Sequence, residues 1–99
     1  MTHTRISIYE LIDGDYTDMT NRAVDELGGS LSGEPGFRSY AIGRDHDGNV
    51  VVINEWDSAE QAEAALPQAA EWIRQNLSTS TRLVRSHIVE ITGGTNNTP

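Results

Sequence analysis

The residues able to do chemistry in this 99-residue chain are few. Asn54 and Trp56 stand two apart in Val50-Val51-Val52-Ile53-Asn54-Glu55-Trp56, a spacing that puts both on one face of a strand. One amide beside a large ring, among valines, is the make-up of a small-molecule pocket: apolar walls with a single placed polar group. The competing reading makes Trp56 a core residue and lets Asn54 bond nearby backbone. His87, between Arg85 and Val89, acts as a base if it lines such a pocket, and is otherwise a half-buried, satisfied histidine. His3 lies near a terminus and His46 beside a turn, so a metal site is not expected. The acids Asp13, Asp15, Asp18, Asp45 and Asp47 flank turns and a helix start, where acids serve structure. No glycine-rich phosphate loop and no serine-nucleophile motif is present.

These residues need strands and helices to bring them together. Residues 4–12 alternate around β-branched positions and predict a strand, closed by Asp13-Gly14-Asp15. Tyr16, Met19, Ala23, Leu27 and Leu31 repeat at helical spacing, with Asp15 or Thr17 to cap the start and Gly28-Gly29 to end the helix. After the loop Ser32–Gly36, residues 37–45 and 49–56 predict two strands joined at Asp47-Gly48, a tight-hairpin signal. Ser58 with Gln61 three residues later fits a capping box, and Ala62, Ala65, Leu66, Ala69, Ile73 and Leu77 mark the inner face of a second helix that Pro67 should kink or split. Residues 81–91 predict the last strand.

The order is β-α-β-β-α-β, the split βαβ or ferredoxin-like pattern: an α+β domain over residues 1–92, with four antiparallel strands and both helices on one face. Residues 93–99 read as a loose tail. A two-residue turn at Asp47-Gly48 sets Arg44 opposite Val51, Ala41 opposite Asn54, and Ser39 opposite Trp56. One face then carries Phe37, Ser39, Ala41 and Gly43 with Val50, Val52, Asn54 and Trp56; small residues beside a large ring leave a hollow, lined by Phe37, Ser39, Ala41 and, from the second helix, Trp72. The other face carries Arg38, Tyr40, Ile42 and Arg44 with Val51, Ile53 and Glu55, and Arg38 can pair with Glu55. Val50 to Ile53 are apolar in succession, so both faces of this strand want cover, and the helices supply only one. A second copy of the chain is the simplest cover for the other, which predicts a homodimer.

Composition narrows the partners. The net charge is −8, with seven Arg and no Lys, which disfavours nucleic acid and anionic membrane surfaces. Absence of Cys excludes disulfides, thiolate metal sites and a Cys nucleophile. No signal-like segment opens the chain and no long apolar run crosses it, so a cytoplasmic protein is expected. Asn76-Leu77-Ser78 and Asn96-Asn97-Thr98 match the glycosylation pattern but carry little weight without a secretory signal.

The stretch Pro35-Gly36-Phe37, the run Asn49 to Glu60 with its Glu55-Trp56-Asp57-Ser58 helix start, and the Leu66-Pro67 interruption together resemble the antibiotic biosynthesis monooxygenase-like family of dimeric α/β barrels. The resemblance implies a ferredoxin-like protomer pairing sheet to sheet into a barrel. Some members oxidise phenolic polyketides to quinones with oxygen and no cofactor, the substrate itself supplying electrons. Such members use Asn and Trp on the third strand and an aromatic and an Arg from the second-helix region. The resemblance therefore implies Asn54 and Trp56 as catalytic residues, with Arg74 near the Arg position and Ala62 where the aromatic would be. The Asn, Trp and His of haem-degrading relatives correspond to Ser7, Ala65 and Gln75, which excludes that activity. Two functions follow. One is a cofactor-independent oxygenase of an aromatic, phenolic substrate, in which Asn54 holds the phenolate, Trp56 walls the pocket, and Arg74 or His87 stabilises charge or takes a proton. The other is a non-catalytic dimeric binding or scaffold protein on the same frame.

Overall fold

The computed structural model describes residues 2–95; Asn96, Asn97, Thr98 and Pro99, with the second glycosylation-like motif and most of the predicted tail, lie outside the described residues. The elements are β1 (His3–Leu11), α1 (Tyr16–Arg22), a π-helical segment (Ala23–Gly28), α2 (Gly29–Leu31), β2 (Phe37–Arg44), β3 (Val50–Trp56), α3 (Ala59–Ala64), α4 (Leu66–Leu77) and β4 (Thr81–Glu90). The strands form one antiparallel sheet in the order β2-β3-β1-β4, and the helices cover one face of it. This is the ferredoxin-like α+β fold that the element order predicts.

The first helical rod runs to Leu31, past the glycines expected to end it. Gly28 and Gly29 both hold right-handed helical angles. Met19, Ala23, Leu27 and Leu31, four apart, are all buried. In an α-helix a row spaced by four drifts about 40° per step. The wider π turn winds it back and keeps all four on the sheet. Gly28 is small for a packing reason: a Cβ there would meet Cδ1 of the Tyr40 ring at 3.3 Å. Asp15 caps the rod by accepting from the N–H groups of Thr17 and Asp18.

The second helical region splits into α3 and α4, with Pro67 in the first turn of α4, where its missing N–H costs nothing. Ser58 caps α3 by accepting from the Gln61 N–H at 3.2 Å. Pro35 and Gly36 fill the centre of a turn closed by Phe37 N–H on the Glu34 carbonyl, and Gly36 supplies the positive φ of 82° that this turn requires.

The β2–β3 hairpin corrects the predicted register. Asp45 N–H bonds the Asn49 carbonyl, and Gly48, at φ 83°, bonds back to the Asp45 carbonyl. The loop is thus a three-residue turn with a glycine bulge rather than a two-residue turn. Asp45 Oδ1 accepts from both the Asp47 and Asn49 N–H groups, which stabilises the longer form. Arg44 therefore pairs with Val50, Ile42 with Val52 and Tyr40 with Asn54. A slip of one residue exchanges faces along a whole strand. Tyr40 and Ile42 face the helices; Ser39, Ala41 and Gly43 face away. A bulge between Phe37 and Ser39 returns Phe37 to the helix side, where it meets Trp56 edge-on at 5.5 Å. Arg44, also on the helix side, lies 3.8 Å above the Tyr16 ring.

The core forms two buried clusters between sheet and helices. Leu27, Leu31, Trp56, Ala62, Ala65 and Ala69 make one; Tyr9, Met19, Val50 and Leu77 make the other. Trp72 and Ile73 pack against both.

Candidate functional site

The middle strands carry polar residues on the face that the helices cover. Register places Arg5 opposite Asn54, Ser7 opposite Val52 and Tyr9 opposite Val50. Ser7 is 1% exposed and Asn54 3%. Between this floor and the helices lies a cleft at the junction of the two core clusters. Arg5, Tyr9, Tyr40, Ile42, Val50, Val52 and Asn54 line it from the sheet, Met19, Ala23, Leu27 and Leu31 from the first helical rod, and Ala69, Trp72, Ile73 and Leu77 from α4. Its cavity volume is about 30 Å³. The cleft is a narrow slot.

Asn54 is oriented by Trp56. The indole Nε1–H donates to Asn54 Oδ1 at 2.6 Å in a buried bond. An indole N–H can only donate, so the bonded atom must be the amide oxygen. The amide's NH₂ is then the end left for the cleft, a donor suited to an anionic or partly anionic oxygen. Trp56 itself is buried behind Asn54 and does not line the cleft. Both sequence readings thus hold in part: Trp56 is core, and Asn54 is a placed polar group.

Two phenols and a guanidinium share the floor. Burial first, then the proximity of Tyr9, pushes the Tyr40 hydroxyl up to about 12, while Arg5 pulls the other way. Burial also raises Tyr9, against the opposing pull of Arg5 and of its bonds to Ser7 and Arg5. Both phenols therefore remain hydroxyl donors at neutral pH. Arg5 Nε donates to Ser86 Oγ at 3.3 Å, and Ser86 Oγ in turn meets Ser7 Oγ at 2.9 Å.

Of the residues singled out from sequence, the structure brings Asn54, Trp56 and Trp72 together. Phe37 packs behind Trp56, outside the cleft. Ser39 and Ala41, expected to line it, are on the opposite face of the sheet, a direct result of the hairpin register. Arg74 is exposed on α4 and bound to Glu71 through two hydrogen bonds of 3.0 and 2.6 Å. His87 pairs opposite Ile6 and is exposed on the face away from the helices, so it does not reach the cleft. Arg5, Tyr9 and Tyr40 were missed. The available signal was Arg5-x-Ser7-x-Tyr9, a polar row at strand spacing on one face of β1. Among the described residues no group of three His, Cys, Asp or Glu could hold a metal ion, and no helix is long and apolar enough to cross a membrane.

The model of the antibiotic biosynthesis monooxygenase family matches residues 8–72. The chain belongs to that family. Solved structures share the fold of this monooxygenase-family chain. SnoaB, a cofactor-independent oxygenase from Streptomyces nogalater, is 14% identical with a TM-score of 0.75, over 94% of this chain and 95% of its own. The ActVA-Orf6 monooxygenase of Streptomyces coelicolor, solved in complex with nanaomycin D, is 21% identical with a TM-score of 0.70, over 98% and 94%. MupZ from Pseudomonas fluorescens is 15% identical with a TM-score of 0.72, over 88% and 69%. No curated protein matches the sequence.

Proposed function

We propose that this chain is a cofactor-independent monooxygenase of a phenolic, polyketide-like aromatic. The observation that carries the reading is the Asn54 amide, turned by Trp56 so that its NH₂ serves a largely apolar slot. A donor fixed in a water-poor site stabilises charge that develops on a substrate oxygen better than water does. In the proposed reaction the ionised phenol supplies electrons to dioxygen. One oxygen atom becomes the new carbonyl of a quinone and the other leaves as water, so phenol plus O₂ balances quinone plus H₂O. Asn54 holds the phenolate oxygen, Trp56 positions Asn54, and Trp72 walls the ring. Family membership and the fold shared with a cofactor-independent oxygenase support this reading.

The slot opens to admit a ring. Trp72 Nε1 donates to Glu26 Oε1 at 3.3 Å, tying α4 to the π segment beside the cleft. Gln68 to Ser30 and Arg22 to Asn76 join the same helical layers, so widening the slot releases these ties together.

The active form in this reading is a homodimer. Register sets Ile6, Ile8, Ala41, Val51 and Ile53 on the face the helices leave bare, and Ile53 is 40% exposed there. A second sheet of the same kind covers it.

The test is oxygen uptake with hydroquinone-type substrates. Asn54→Ala is expected to lower turnover about 10²–10³-fold, the usual cost of one such donor. Turnover unchanged in that variant removes Asn54 from the mechanism. The narrowness of the slot favours a second reading, a binding protein without turnover; tight binding of these compounds with no oxygen uptake decides for it.

A further inference from the structure

We propose that Arg5 is the anchor for an anionic group on the ligand, a carboxylate borne by the aromatic itself. This deepens the reading of the cleft as the site of a phenolic compound and rests on it. The chain has seven arginines and fifteen acids. Arg22, Arg38, Arg74 and Arg82 each pair with a carboxylate, and Arg44 stacks on Tyr16. Among the described residues Arg5 and Arg85 have no carboxylate partner, although acids outnumber cations two to one, and Arg5 alone of the arginines lines the cleft. A guanidinium has five N–H donors in a planar fork. Arg5 uses Nε on Ser86 Oγ, a serine held by buried Ser7, which fixes the base of the fork. The Tyr9 hydroxyl draws on the same guanidinium; the terminal N–H groups that remain are left for a ligand carboxylate, which an arginine fork binds in matching geometry.

The surroundings agree with an anion. Tyr9 and Tyr40, the other polar groups near Arg5, are phenols held neutral, so they donate hydrogen bonds and add no competing negative charge. Asn54 lies directly across from Arg5 on the neighbouring strand, while the bond to Ser86 draws Arg5 toward β4 and away from it. The two donor groups are thus held apart on one floor. One takes the reacting oxygen and the other the acid at a different ring position.

The test is calorimetric binding at pH 7 under nitrogen, with 2,5-dihydroxybenzoate and its neutral methyl ester as probes. The native protein is expected to prefer the acid about ten- to a hundredfold, the worth of a charge-assisted pair. Arg5→Gln abolishes that preference while leaving affinity for the ester within about threefold, and Arg5→Lys restores part of it. Arg82→Gln, which removes the same charge at the exposed edge strand, leaves the preference intact and separates a local contact from the overall field. Equal binding of acid and ester by the native protein, no binding of the acid, or a preference that survives in Arg5→Gln overturns the proposal. A preference lost in Arg5→Gln without any oxygen uptake leaves this proposal standing and sinks the oxygenase reading. Uptake that depends on Asn54 without acid preference does the reverse.

Discussion

Tyr40 combines a role in the cleft wall with a liability at high pH. Its folded-state pKa lies near 12, above the ordinary phenol value of 10. The fold thus prefers the neutral phenol, so Tyr40's contribution is complete below pH 10 and is lost as pH climbs from 10 toward about 12. Two units correspond to about 2–3 kcal/mol. Urea unfolding measured from pH 9 to 12 should show this decline, and Tyr40→Phe should remove most of it. At this scale the sequence was half legible. Asn54 and Trp56 announced themselves by type and spacing, because a strand's two-residue period needs no tertiary information. Arg5, Tyr9 and Tyr40 did not, because their place in the cleft depends on which face of β1 and β2 the helices cover. Arg74 is misleading for a different reason: an exposed acid three residues earlier on its own helix takes it up.

The elements follow from local rules wherever one signal acts alone. Ser58 and Asp15 cap, Pro67 splits a helix, and Gly36 makes its turn, all as their chemistry dictates. The two failures came where signals competed. Asp47-Gly48 has the composition of a two-residue turn, but the Asp45 carboxylate gathers two backbone N–H groups and favours the longer one. Gly28-Gly29 looks like a helix end, but burial of Leu31 carries the rod through it. This gives a prediction for adjacent residues. Gly29 has open space around its missing Cβ and a helical φ, so Gly29→Ala should stabilise by about 0.4–1 kcal/mol. Gly28→Ala gains the same backbone term but presses on the Tyr40 ring, and should fall at least about 1 kcal/mol below it in thermal or urea unfolding.

The fold class was legible from element order alone, because β-α-β-β-α-β with short connections leaves few topologies. The unbroken run Val50–Ile53 is what calls for cover on both sides of the sheet, and the proposed dimer is the cover it calls for. Burial of each such side chain against a second copy would contribute roughly 1.5–3 kcal/mol before association entropy. Sedimentation at micromolar concentration should give twice the 10.9 kDa chain mass, and Ile53→Glu should give a folded species of one. Two chains of −8 repel each other, so added salt should tighten the pair. The hairpin loop between Arg44 and Val50 has a consequence for descent as well as for folding. At constant chain length, a slip from this three-residue turn to a two-residue turn would rotate β2 inside out, trading Tyr40 and Ile42 in the cleft for Ser39, Ala41 and Gly43. A lineage built on this frame can therefore replace a whole wall of its binding site by substitution in the loop, where the Asp45 carboxylate holds the longer turn, without altering one amino acid of that wall.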